Sequence, residues 1–158
     1  MGNDPGPRRR GERIGWVLLV LAGLPFVLFG VTAVLFGVSA SDFPVGLPGG
    51  PDAVDSTTGV PWQEVVSGNA TAMTLLRGVS RVAGLAFLGF GLLVITVAVV
   101  PYRRGERWAW YALWVVPVFM GGLVVHELGG DFVQMPALLL AASLAGLLLP
   151  YRAFFPRR

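Results

Sequence analysis

The 25 residues from Ile14 to Val38, IGWVLLVLAGLPFVLFGVTAVLFGV, carry no charge. As a helix rising about 1.5 Å per residue they exceed the roughly 30 Å hydrocarbon core of a bilayer. Such a helix tilts or kinks to fit, and Pro25 is the place for it. Val38-Ser39-Ala40 resembles a cleavage site after a basic leader, but the apolar stretch is far longer than the 7–15 residues of a signal peptide, so the segment is expected to be retained.

Three further apolar runs follow: Val79 to Val100 with Arg81 near its start, Trp108 to Val125 with Pro117 inside, and Phe132 to Leu149 stopping at Pro150. The composition agrees, with 54% hydrophobic and 13% charged residues against about 25% charged in a soluble domain. The expected fold is therefore all-α, an integral membrane bundle of four helices at 14–38, 79–100, 108–125 and 132–149. Segments 1–13, 101–107 and 150–158 then lie on one side, and 39–78 and 126–131 on the other.

Between the first two runs, Pro44, Pro48, Pro51 and Pro61 alternate with Gly46, Gly49, Gly50 and Gly59. This composition excludes regular helix until about Pro61, where a short helix is expected to begin. Met73 to Ser80 reads as a polar extension of the second helix, because Arg77 and Arg81 stand four apart on one face.

Orientation follows from the arginines, which are the chain's only basic residues apart from its histidine. Ten of them (8, 9, 10, 13, 103, 104, 107, 152, 157 and 158) flank one side of the runs and two, Arg77 and Arg81, the other. The positive-inside rule places both termini in the cytoplasm and the chain in the cell membrane. Two arginines against six carboxylates then leave the exterior, with its one long loop, at a net charge of −4. No basic patch remains for nucleic acid.

The absence of cysteine excludes thiol catalysis, disulfide exchange and thiolate metal sites, and a single histidine excludes bis-histidine haem within one chain. His126-Glu127 opens like a zincin motif, but no second histidine follows at the required spacing. Neither a metal nor a cofactor is expected.

Five ionisable residues converge on the extracytoplasmic ends of the second and third helices: Arg77, Arg81, His126, Glu127 and Asp131. Charges at hydrocarbon are costly enough to suggest function. If the short connection makes these helices neighbours, Arg81 can pair with Glu127 and His126 can join. The cluster then reads either as an anion or lipid-headgroup pocket covered by Trp62 and Glu64, or as a structural ion pair locking two helices. Two function classes stay open. One is a non-enzymatic bundle binding a partner protein or lipid on its outer side. The other is a membrane enzyme or small transporter taking a lipidic or anionic substrate at the cluster.

RRGERIGW at 9–16 matches RRGERWAW at 103–110 in six of eight positions, and Pro101-Tyr102-Arg103 matches Pro150-Tyr151-Arg152. The echo suggests two parallel-repeat helical hairpins, although arginine and aromatic residues also collect at any cytoplasmic interface. Trp108, Trp110, Tyr111 and Trp114 form either a stacking surface or an anchoring belt. Ala137, Ala141 and Ala145, with Ala142 and Gly146, permit close helix approach within the bundle or between homo-oligomer subunits.

With its four-span plan, arginine-rich termini and the stretch RGERWAWYALW at 104–114, the chain resembles small uncharacterised bacterial four-helix membrane proteins of the broad DoxX-like kind. The resemblance implies a cytoplasmic-membrane bundle that associates with other membrane or redox proteins, and it transfers no catalytic residue.

Overall fold

The computed structural model describes residues 7–36, 59–61, 64, 67, 70–126 and 133–155. The described residues are helical apart from turns: α1 (Pro7–Leu35), α2 (Ala70–Val97), α3 (Arg107–Ala112), α4 (Val115–His126), α5 (Gln134–Leu148) and α6 (Tyr151–Phe154). Three apolar helical stretches are long enough to cross a bilayer: Arg13–Leu35, Met73–Tyr102 and Arg107–His126.

The fourth apolar run differs from expectation. It forms a helix of 15 residues, Gln134–Leu148, about 22 Å long and short of the hydrocarbon thickness. The second run is helical from Ala70, three residues ahead of the extension expected at Met73 to Ser80. Arginine is a good helix former, so Arg77 and Arg81 interrupt hydropathy without interrupting the helix.

The third run is broken. Pro117 has no N–H for the Leu113 carbonyl, which instead accepts from the Val116 N–H at 3.1 Å, and the Trp114 N–H tightens onto the Tyr111 carbonyl at 3.2 Å. This shorter bonding separates α3 from α4. Pro101 is accommodated differently, inside a π-helical turn at Ala98–Tyr102 that ends α2. Pro25 lies within α1, which continues on both sides of it.

Glycine sets how the first hairpin packs. Gly23 and Gly30 on α1 face Gly91 and Gly84 on α2, each pair two turns apart, so the antiparallel backbones touch. A methyl group at Gly30 would stand 2.5 Å from the Leu88 nitrogen and 2.7 Å from the Gly84 oxygen. A second crossing joins α1 to α5, where a methyl at Gly15 would meet the Gly146 oxygen at 2.8 Å. Of the small-residue stripe on α5, Gly146 makes this crossing while Ala137 and Ala141 are exposed.

The closely packed helix pairs run α2 to α1, α1 to α5 and α5 to α4. The second and third runs are neighbours through their side chains, although α2 does not pack backbone to backbone with α4 among the described residues. They meet across phenylalanines, with Phe119 of α4 5.5 Å from Phe90 and 6.1 Å from Phe87, and Phe26 of α1 against all three.

The arginine-rich end is a second aromatic layer. Trp110 is buried and donates from Nε1 to the Leu147 carbonyl at 3.0 Å, ringed by Tyr111, Trp114, Tyr151 and Phe155. Trp108 and Tyr111 face outward, so the aromatic group divides between core and belt. Arg107 donates from Nε to the Phe154 carbonyl and lies over the Phe155 ring, fastening α6 to α3. Buried Tyr102 donates to the Gly146 carbonyl at 2.6 Å. We expect Tyr102→Phe to lower stability by about 1–2 kcal/mol, read from the unfolding midpoint in detergent, because it removes one buried hydrogen bond and little volume.

Candidate functional site

Arg77, Arg81, His126 and Glu64 lie among the described residues and all four are exposed. Trp62, Glu127 and Asp131 lie outside them, and the expected Arg81–Glu127 pair with them.

Arg81 precedes Phe87 by six residues and His126 follows Phe119 by seven on an antiparallel helix. With the rings in contact, both side chains stand about 10 Å beyond the phenylalanine layer, at similar height. His126 closes α4, where a basic group suits the negative end of the helix dipole. Arg77 stands one turn further out. The structure thus brings Arg81 and His126 to one level, on helices that are not closely packed. Glu64 and Ser67 are helical; the Glu64 N–H bonds the Pro61 carbonyl at 2.9 Å, and the Ser67 hydroxyl the Glu64 carbonyl at 3.4 Å.

Among the described residues at this end there is a groove of about 810 Å³ on α2, lined by Thr71, Thr74, Leu75, Gly78, Val79 and Val82 and running down to Ala86. Neither Arg77, Arg81 nor His126 lines it. Its walls are apolar side chains in open view: Leu75 and Val82 are each 69% exposed.

α2 is also the longer helix of the first hairpin. Met73–Tyr102 covers 30 residues, about 45 Å of helix, against 23 residues and about 34 Å in Arg13–Leu35. With Gly30 set against Gly84 and Leu88, the first ten residues of α2 run on past the described end of α1. This overhang has a covered side, where Met73 is buried, and an open side, where Leu75 and Val79 are not. The sequence reading missed the groove. Its signal was the apolar alternation at four and three residues through Thr71, Leu75, Gly78, Val82 and Leu85.

Chemically, the arrangement offers apolar contact beside guanidinium groups. Among the described residues no three His, Asp or Glu side chains gather as a metal site would require. Comparison with protein-family models, curated proteins and solved structures gives no match for this chain.

Proposed function

We propose that the chain is a multi-pass protein of the cell membrane with its arginine-rich end and both termini in the cytoplasm, and that its outer end binds a partner protein or lipid without chemistry of its own. The observation that carries this reading is the α2 overhang. A helix about 15 Å longer than the hydrocarbon core presents apolar side chains beyond the layer that lipid tails can cover.

The arginine asymmetry supports the orientation. α5 serves as the fourth crossing with local thinning of the bilayer around its short length, and its antiparallel contact with α3, Trp110 against Leu147, supports that role. Two antiparallel hairpins fit descent from a duplicated unit, with divergence since: Tyr102 is buried, whereas its counterpart Tyr151 is exposed. The resemblance to DoxX-like bundles rests on the stretch at 104–114 and the arginine-rich termini, and it adds no activity. A transporter or enzyme acting at Arg77, Arg81 and His126 would need a cavity opening among them; among the described residues the groove on α2 is walled by others.

A photo-crosslinking residue at Leu75, compared with one at Leu138 on α5, tests the binding role in intact membranes. Both are exposed, at 69% and 70%. We expect discrete protein or headgroup adducts at Leu75 and only acyl-chain adducts at Leu138. Indistinguishable adducts at the two positions would remove the outer end as a binding site.

A further inference from the structure

At the arginine-rich end, the link from α2 to α3 is a closed turn. The Gly105 N–H bonds the Tyr102 carbonyl at 2.9 Å and the Glu106 N–H the Pro101 carbonyl at 3.0 Å, and Gly105 takes the positive φ of 78° that this helix ending requires. The turn holds Arg103, Arg104 and Arg107 on one frame, and all three are exposed. Two are placed further by their contacts. The Arg103 guanidinium lies over the Trp16 ring at 5.5 Å, and that of Arg107 lies over Phe155 at 5.7 Å while its Nε donates to the Phe154 carbonyl. That bond uses one of five guanidinium N–H groups.

Charge at this end is not balanced within the chain. The Glu106 Oε2 accepts from the Trp108 indole at 2.6 Å, and among the described residues no arginine of the turn pairs with it. The C-terminal end of α2 supplies about half a negative charge, too little for three guanidiniums. Ten arginines flank this end against Asp4, Glu12 and Glu106, so even complete pairing of these side chains leaves seven arginines without a carboxylate.

Along α3 from the turn, Trp108 and Tyr111 face outward at 54% and 60% exposure, followed by Val115 and Val118 of α4 at 47% and 71%. Guanidinium, amphipathic ring and aliphatic side chain thus succeed one another from the end of the bundle inward. A phospholipid presents its groups in the matching order: phosphate, glycerol esters, acyl chain. A free phosphate or an acidic peptide would engage the arginines and leave the rest of this line unused.

We propose that this turn binds an anionic phospholipid, with its guanidiniums receiving the headgroup phosphate and Trp108 and Tyr111 flanking the upper part of an acyl chain. The site shares with the proposed function only the placement of the chain in a bilayer. It lies at the opposite end from the outer binding role and stands or falls apart from it.

Native mass spectrometry of the full chain in neutral detergent, titrated with phosphatidylglycerol, phosphatidylcholine or inorganic phosphate, provides the test. Phosphatidylglycerol is expected to bind on the order of ten times more tightly than phosphatidylcholine, since each arginine beside an anionic headgroup contributes about a factor of five. Among the described residues no side-chain bond of Arg104 holds the fold, so Arg104→Gln isolates the charge. It should lower the preference about fivefold, and Arg104→Lys should restore most of it. Arg81→Gln and Arg158→Gln, which remove the same charge elsewhere in the chain, should change it by less than about twofold. Inorganic phosphate should displace neither lipid. Equal affinity for the two lipids, or displacement of phosphatidylglycerol by phosphate at the lipid's own concentration, would overturn the site. A loss for Arg158→Gln equal to that for Arg104→Gln would show a diffuse basic surface and overturn it as well.

Discussion

Gly30→Val should destabilise the folded chain by about 3 kcal/mol or more, the largest effect we expect from a single added side chain. A Cβ at this position would lie 2.5 Å from the Leu88 nitrogen and 2.7 Å from the Gly84 oxygen. Both atoms belong to backbone, so no rotamer change relieves the overlap and the two helices must separate. Overpacking in an adaptable core costs about 1–3 kcal/mol, and a rigid contact falls at or above the top of that range. Separation would also loosen the phenylalanine layer, because Phe26 and Phe29 of α1 touch Phe87 across the same interface. Equilibrium unfolding in mixed detergent micelles gives the readout. Gly122→Ala is the control, since nothing lies within 4 Å of its Cβ position, and it should be neutral or gain roughly 0.5–1 kcal/mol from helix propensity. Equal effects at Gly30 and Gly122 would mean that the glycine crossing does not hold the first hairpin.

Trp110→Ala is the second large effect, a loss of about 3–5 kcal/mol. The indole is 8% exposed, touches four aromatic neighbours and carries the hydrogen bond to the Leu147 carbonyl. Its removal leaves a cavity where α3, α5 and α6 converge and an unpaired carbonyl within it. Trp110→Phe keeps most of the ring volume and loses the donor, so it should cost about 1–2 kcal/mol. Trp108→Ala, on the exposed face of the same helix, should change stability by less than either. Limited proteolysis supplies an independent check: Trp110→Ala should expose the chain near Phe154 and Phe155 to cleavage that the parent resists. Matching losses for Trp110→Ala and Trp108→Ala would contradict the division of this aromatic group into core and belt.

Helix existence was legible in the sequence because a bilayer imposes a length that charge-free runs such as Ile14 to Val38 reveal directly. Pro117 was visible as a disturbance, but whether a proline kinks, breaks or is absorbed depends on neighbouring carbonyls. Pro25, Pro101 and Pro117 meet three different outcomes in one chain. The start of α2 was legible to within three residues, since Arg77 and Arg81 lower hydropathy without lowering helix propensity. The glycines at 23 and 30, and at 84 and 91, show the spacing of a helix crossing. Nothing in that spacing separates them from the outward Gly78 and Gly89 until partners are placed. The site was the least legible part. Arg81 and His126 stand at one level, while Glu127, the expected partner of Arg81, lies outside the described residues.

An outer binding face requires that the arginine-rich end of the bundle sit in the cytoplasm. Impermeant maleimide on sealed cells, with single cysteines at Arg8, Ser67, Arg104 and Arg157, reads this directly. Labelling of Ser67→Cys alone, with the other three modified only after permeabilisation, is the pattern an even number of crossings and a cytoplasmic arginine-rich end require. Labelling of Arg157→Cys together with Ser67→Cys would show that α5 does not cross. Labelling of Arg8→Cys and Arg104→Cys from outside would reverse the orientation and remove the basis for an outer binding face.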